Sequence, residues 1–212
     1  MPLATEILGF APVFSDYRTT WDLQKKYHED VLAGNRESTI LLLEHPPVYT
    51  AGKRTEDHER PTDGTEVIDV DRGGKITWHG PGQLVAYFIY RLNDPKEVRL
   101  FVAQLEDSMI RLLSEYGIEA TTIEGRAGVW ILGDGARRDR KIGAIGIRIH
   151  DGVTMHGLAL NCSNDLGAYD SIIACGITDA DTTTISAELG RTVTPEEVAP
   201  RLDEILHETI TA

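Results

Sequence analysis

Cysteine is nearly missing from this 212-residue chain: Cys162 and Cys175 are the two present. Two thiols in a chain of this length do not make a disulfide framework, and in a reducing compartment both stay free. Neither has a second cysteine or a histidine at finger-like spacing, so no zinc or other metal site is expected. Basic residues are also scarce, with 21 Lys and Arg against 34 Asp and Glu and a net charge of −13. That balance argues against a nucleic-acid binder, which presents a basic face.

Long apolar runs are absent too. No stretch is long enough to span a bilayer, and Met1 to Phe10 lack the basic start, apolar middle and small-residue cleavage site of a signal peptide. A Gly-x-x-x-x-Gly-Lys-Ser/Thr run for nucleotide phosphates is missing. The expectation is a cytoplasmic protein without membrane or nucleic-acid partners. One domain is expected over 1–212, since a single core can serve a chain of this size and no segment looks like a linker.

What is present is a mixed order of helix and strand signals. Tyr17 to Ala33 has Leu23, Tyr27 and Val31 at four-residue intervals and ends at Gly34, which predicts a helix. Thr39 to Glu44 predicts a buried strand, broken by Pro46-Pro47. Val67 to Val70, Ile76 to Trp78 and Leu84 to Tyr90 are short strand patterns, the last two separated by Gly80-Pro81-Gly82.

Pro95 to Tyr116 carries the stripe Val98, Phe101, Val102, Leu105, Met109, Leu112 and Leu113, a helix whose apolar face is core. Val129 to Leu132 and Ile142 to Ile149 are strands, the second joined to Val153 to Leu160 by the hairpin signal Asp151-Gly152. A last helix starts at the cap Thr194, with Pro195 first and Glu197 completing the box. Hairpin pairing argues against a doubly wound parallel sheet and for an α/β chain of α+β type, with a mostly antiparallel or mixed sheet and helices packed on it.

Chemistry gathers at a few places. A cysteine able to form a thiolate, Cys175, an amine able to exchange protons with it, Lys141, and the glycine-dense run Arg72 to Gln83 together point to acyl transfer. Gly143 and Gly146 weaken the strand that holds them, and a close-approaching ligand is one reason to accept that loss; a bulge or tight packing is the other. With Gly157 and Ala159 on the partner strand they leave room for an alkyl chain. Burying seven aliphatic carbons contributes roughly 5 kcal/mol, at about 0.8 kcal/mol per methylene. Cys162, in Leu158-Ala159-Leu160-Asn161-Cys162, reads as a small core residue. His79 and His156, taken alone, read as structural histidines. Basic residues cluster at Arg137, Arg138, Arg140 and Lys141 and again at Arg72 and Lys75, which fits a local positive surface; for Arg137 to Arg140 an exposed polar loop fits equally well.

Glu44-His45-Pro46 with Tyr49-Thr50, Arg72-Gly73-Gly74 through Gln83, Lys141 with Ala144-Ile145-Gly146, His156-Gly157 with Asn161, and Cys175-Gly176-Ile177 resemble the lipoyl(octanoyl) transferases of lipoate biosynthesis. The resemblance runs from about Tyr17 to Gly190 in order. It implies the biotin and lipoyl protein ligase type of fold, Cys175 as the carrier of the acyl thioester, and Lys141 as the residue that lowers its pKa. It also makes Arg72, Gly73, Gly74, Lys75, Ile76, Thr77, Trp78 and His79 acyl-binding walls, together with Ala144, Ile145, Gly146, Gly157, Leu158 and Ala159. The implied donor is octanoyl-acyl carrier protein. The implied acceptors are lysines in the lipoyl domains of 2-oxoacid dehydrogenase complexes and in the glycine cleavage H protein. Gly133 to Arg140, a polar and arginine-rich stretch just before Lys141, is the one visible departure from the family pattern.

Thioester to amide runs downhill, so neither ATP nor another cofactor is expected. The acceptor poses the larger problem: a lysine of pKa ~10.4 is deprotonated to less than about 0.1% at pH 7, equivalent to ~4.6 kcal/mol. A base therefore matters most in the second half-reaction, and Lys141 is the candidate. Two rivals remain: an ATP-dependent lipoate or biotin ligase, which needs no acyl-cysteine, and a module that binds acyl chains or carrier proteins without turnover.

Overall fold

In the computed structural model, which describes residues 3–172 and 179–210, two strands with unbroken apolar runs form the centre. They are β2 (Ser38–Leu43) and β6 (Gln83–Ile89), and every residue of both is buried. Both faces are covered, so no polar alternation is needed. Ile40, Leu42, Leu84, Ala86 and Phe88 join one apolar layer, while Leu41, Leu43, Val85, Tyr87 and Ile89 join the other.

The main sheet has eight strands. Its order is β1 (Leu3–Gly9), β2, β6, β10 (Val153–Asn161), β9 (Arg140–His150), β8 (Arg126–Ile131) and β7 (Thr121–Ile123), with β11 (Asp181–Thr182) beside β9. β1 with β2 and β11 with β9 are parallel, and the other pairs are antiparallel. A small sheet of β3 (Val48–Ala51), β4 (Val67–Asp69) and β5 (Thr77–His79) stands beside it. The mixed, mostly antiparallel architecture expected from the hairpin signals is the one observed.

Helix α1 (Tyr17–Leu32) starts where the Asp16 carboxylate accepts from the Thr19 N–H at 2.8 Å. It packs Tyr17, Tyr27 and Val31 on the face that holds Tyr87 and Ala159. On the opposite face lie α2 (Val98–Glu115) and α4 (Pro195–Ile210), whose Leu105, Met109, Leu202 and Leu206 are fully buried. The Thr194 cap is present, its hydroxyl accepting from the Glu197 N–H at 3.3 Å. The short helix α3 (Ile185–Leu189) completes the set. No helix among the described residues is long and apolar enough to cross a membrane.

Several expectations need correction. Residues 95–97 form a 3-10 turn ahead of α2. β8 begins three residues before Val129 and ends before Leu132, which is 55% exposed. Arg137 and Arg138 are exposed, as a polar loop requires, but Arg140 belongs to β9 and is buried against Glu188, its Nε donating to Oε1 at 2.9 Å. Strands β1, β3, β7 and β11 and helix α3 were not anticipated from the sequence; all are short or half-buried, with little periodicity to show.

Candidate active site

The β9–β10 hairpin turns at Asp151 and Gly152, with φ of 50° and 78°, the left-handed pair that a two-residue hairpin turn demands. Its register sets Ala144 opposite Ala159 and Gly146 opposite Gly157. The loop from Arg72 to Lys75 lies against β9, where the Gly73 N–H donates to Ile147 O at 3.0 Å. An ideal Cβ on Gly146 lies 3.2 Å from Gly73 O and 3.1 Å from Arg72 Cδ, so a side chain there presses on this loop. Gly143 faces the other way, its Cβ position 2.7 Å from Met109 Sδ of α2.

Between loop and hairpin is a cavity of about 350 Å³. Lys141, Arg72, Gly73, Gly74, Lys75, Thr77 and His79 line it, with Ala144, Ile145, Gly146, Gly157, Leu158 and Ala159. Ile76 and Trp78 do not. Thr77 and His79 of β5 face the cavity, and the period-two alternation turns their neighbours away. Ile76 is fully buried, and Trp78 packs edge-on against Tyr169 with ring centres 5.9 Å apart. The expected space at Gly157 also has another use: a Cβ there would fall 2.0 Å from Ala86 O, so this glycine lets β10 approach β6.

Two cationic residues of the loop are already engaged. Arg72 Nη1 donates to Gly73 O and Lys75 O at 3.0 and 2.9 Å, and Nη2 to Thr50 O and Oγ1 at 2.8 and 2.9 Å. Its guanidinium therefore ties the loop together, and its stem faces β9. Lys75 Nζ donates to Glu56 at 2.8 Å and to the buried Glu59 at 2.5 Å.

Beneath the cavity is a set of neutral polar rings. Burial pushes His45 down to about 4 and His79 down to about 3, and pushes Tyr17 up to about 12. His45 Nδ1 donates to Ser15 O at 2.5 Å, which leaves Nε2 to accept from the Tyr87 hydroxyl at 2.8 Å. His79 Nδ1 donates to Gln83 Oε1 at 2.7 Å; Gln83 Nε2 in turn donates to Asn161 Oδ1 at 2.9 Å. His156 has a φ of 61°, is held neutral mainly by burial, and donates from Nε2 to Asp71 at 2.8 Å. The buried Glu44 carboxylate accepts from the Gly82 N–H at 2.7 Å and the Ala11 N–H at 3.1 Å, fixing the Gly80–Gly82 turn.

Lys141 sits at the rim, half-buried, with its Nζ 5.1 Å from the centre of the Trp130 ring. Cys175 lies outside the described residues. Its neighbour in sequence Asp179 is described, and accepts from Arg126 Nη2 at 2.5 Å beside the cavity. Cys162 is fully buried, and burial drives its thiol far above the ordinary range, so it is inert core as expected.

Tyr17, Tyr87, Arg54, Val102, Gly125 of the β7–β8 turn and Arg126 and Ala127 of β8 also line the cavity and were not singled out from the sequence. Tyr87 and Val102 sit within apolar patterns that read as core. The one visible signal was the pair of glycines, Gly125 and Gly128, flanking Arg126-Ala127.

The architecture is that of the lipoate and biotin protein ligases. The bipartite lipoate protein ligase of Thermoplasma acidophilum superposes with a TM-score of 0.71 at 16% identity, covering 99% of this chain and 83% of that one. The biotin protein ligase of Leishmania major gives 0.54 at 12% identity, covering 99% and 74%. An octanoyltransferase of Paenarthrobacter aurescens is 59% identical over 204 residues, 96% of this chain and 92% of that protein. The lipoyl protein ligase A/B catalytic domain family matches residues 16–207, and the chain belongs to that family, among its octanoyltransferases, which are acyltransferases.

Proposed function

We propose that this enzyme moves an octanoyl group from octanoyl-acyl carrier protein to a lysine of a lipoyl domain, in two half-reactions through Cys175. The Cys175 thiolate attacks the thioester carbonyl, the carrier leaves as its thiolate, and the acceptor amine then attacks the acyl-enzyme to form an amide, free the Cys175 thiolate and give up its proton. The observation that carries this reading is the cavity: it starts at Lys141 and runs along Ala144, Gly146 and Ala159, small residues that leave length for an alkyl chain. The name of the 59% identical relative supports the same acyl group.

Lys141 is the proton partner in this reading. Its amine takes the proton of the acceptor lysine, the step that otherwise costs several kcal/mol at neutral pH. Chain connectivity supports its pairing with Cys175: Asp179 is four positions further along the chain, a span of at most about 14 Å, and Asp179 is tied to the cavity rim by Arg126. Arg72 to His79 on one side and the hairpin on the other serve as the acyl walls, with Ile76 and Trp78 supporting the loop from behind. The acceptors proposed are the lipoyl domains of 2-oxoacid dehydrogenase complexes and the glycine cleavage H protein. The protein is proposed to work in the cytoplasm, where these acceptors are made.

The test is reconstitution. Mixed with octanoyl carrier protein and a lipoyl domain in the absence of ATP, the enzyme should raise the mass of the domain by one octanoyl group. Modification that needs ATP and free octanoate would instead establish the ligase reading.

A further inference from the structure

The cavity is not confined to one face of the main sheet. Paired residues of β9 and β10 share a face, and the two faces alternate along the hairpin. Ile145 and Leu158 are paired and belong to the apolar layer under α2. Ala144 and Ala159 are paired on the side of α1, where Ala159 joins the second layer. All four line the same cavity, together with Val102 of α2. The opening between the faces lies at the edge of β9. β8 pairs with β9 from Arg140 to Gly143, and the Gly73 N–H next covers that edge at Ile147 O.

The two lobes differ in chemistry. On the α1 side the walls are the hydroxyls and imidazoles of Tyr17, His79, Tyr87 and His156. On the α2 side Val102, Ile145 and Leu158 are apolar, and Arg126 and Ala127 at the start of β8 line the same cavity. We propose that the distal carbons of the acyl chain pass the edge of β9 into the α2 lobe, and that Val102 is its end wall and sets the chain length accepted. This rests on the acyl-transfer reading above. Each methylene seated on an apolar wall favours binding by roughly fourfold, and a lobe walled by hydroxyls and imidazoles gives less of that gain. Val102 is half-buried, whereas its neighbours Phe101 and Leu105 belong to the core. The wall can therefore be altered without emptying the core.

The experiment compares the parent, Val102→Ala and Val102→Phe with hexanoyl, octanoyl and decanoyl carrier protein, following acyl loading by intact-protein mass. Val102→Phe should lower octanoyl loading at least roughly tenfold while changing hexanoyl less than about threefold. Val102→Ala, which keeps the fold, should raise the ratio of decanoyl to octanoyl loading severalfold. Melting temperatures close to the parent's separate a wall effect from misfolding. Unchanged profiles in both variants, with Ala159→Val shifting the profile instead, would place the chain in the α1 lobe and overturn the assignment. A parent that loads no acyl group would overturn the acyl-transfer reading itself, and this proposal with it; an active parent whose profile ignores Val102 overturns only the wall.

Discussion

Lys141 holds its ammonium nitrogen 5.1 Å from the centre of the Trp130 indole, at the mouth of the cavity. The ring is a fixed platform: it is fully buried and its N–H donates to Arg126 O at 3.1 Å. Gly128 makes room for the lysine, since a Cβ there would lie 2.9 Å from Lys141 Cε and 2.3 Å from Gly143 O. Among the described residues no carboxylate pairs with Lys141. The Trp130 ring and the space left at Gly128 therefore position the side chain at the mouth of the cavity.

Lys141→Arg keeps the charge but removes a usable base, because guanidinium does not deprotonate at accessible pH. The variant is expected to load octanoyl from the carrier at a rate near the parent's and to pass it to the lipoyl domain at least roughly a hundredfold more slowly. Single-turnover measurements of each half-reaction check this. Equal losses in both would mean that charge, not proton transfer, is what Lys141 supplies.

The glycines of β9 should separate stability from chain length. Gly143→Val drives a side chain against Met109 and Val129, so the expected effect is overpacking of about 1–3 kcal/mol. Its ratio of octanoyl to butyryl transfer should match the parent's. Gly146→Val pushes on Gly73 O and the stem of Arg72, narrowing the passage, and should cut octanoyl transfer more than butyryl. Ratios unchanged in both variants would remove the acyl chain from this hairpin.

Arg72→Lys tests whether the arginine organises the loop. An ammonium cannot reproduce the fork that reaches Gly73 O, Lys75 O and both oxygens of Thr50. A loss of about 2–4 kcal/mol in urea unfolding is expected, from acceptors left without donors in a buried site. The octanoyl donor's KM should rise as well. Wild-type stability in this variant would mean the four bonds contribute nothing net.

Acid should weaken the fold through the buried histidines. His45 and His79 stay neutral down to about 4 and about 3 in the folded protein, while the unfolded chain protonates them near 6.5. Below 6.5 the unfolded state therefore binds more protons, and stability that is complete above this value is lost as the pH falls toward the folded values. Between pH 7 and pH 5 the expected loss is roughly 2 kcal/mol per histidine. Urea titrations of the parent and of His45→Gln check it: the variant's dependence should be shallower. A parent as stable at pH 5 as at pH 7 contradicts the neutral assignment.

The elements legible in the sequence are those where two signals coincide. α4 has both its apolar stripe and the Thr194 cap, and the β9–β10 hairpin has both alternation and Asp151-Gly152. β11 has two residues and β1 has half-buried ones, so neither leaves a pattern. At the site, Arg72 and Gly146 were legible as residues beside an acyl chain, whereas the loop of Arg72 pressing on the strand at Gly146 was not. Tyr17, Tyr87 and Val102 were not, because each lies in a helix or strand whose repeat signals core. Ile76 and Trp78 show the opposite failure: a run that resembles a binding motif as a whole presents only alternate residues once it forms β5.

The most direct measurement of the central claim is the intact mass of the enzyme after mixing with octanoyl carrier protein. One octanoyl group should be added, released by hydroxylamine as a thioester is, and Cys175→Ser should carry no hydroxylamine-labile adduct. Cys162, fully buried with its thiol pushed far up, should make no difference when changed to alanine. Labelling that persists in Cys175→Ala and vanishes in Cys162→Ala would contradict the account.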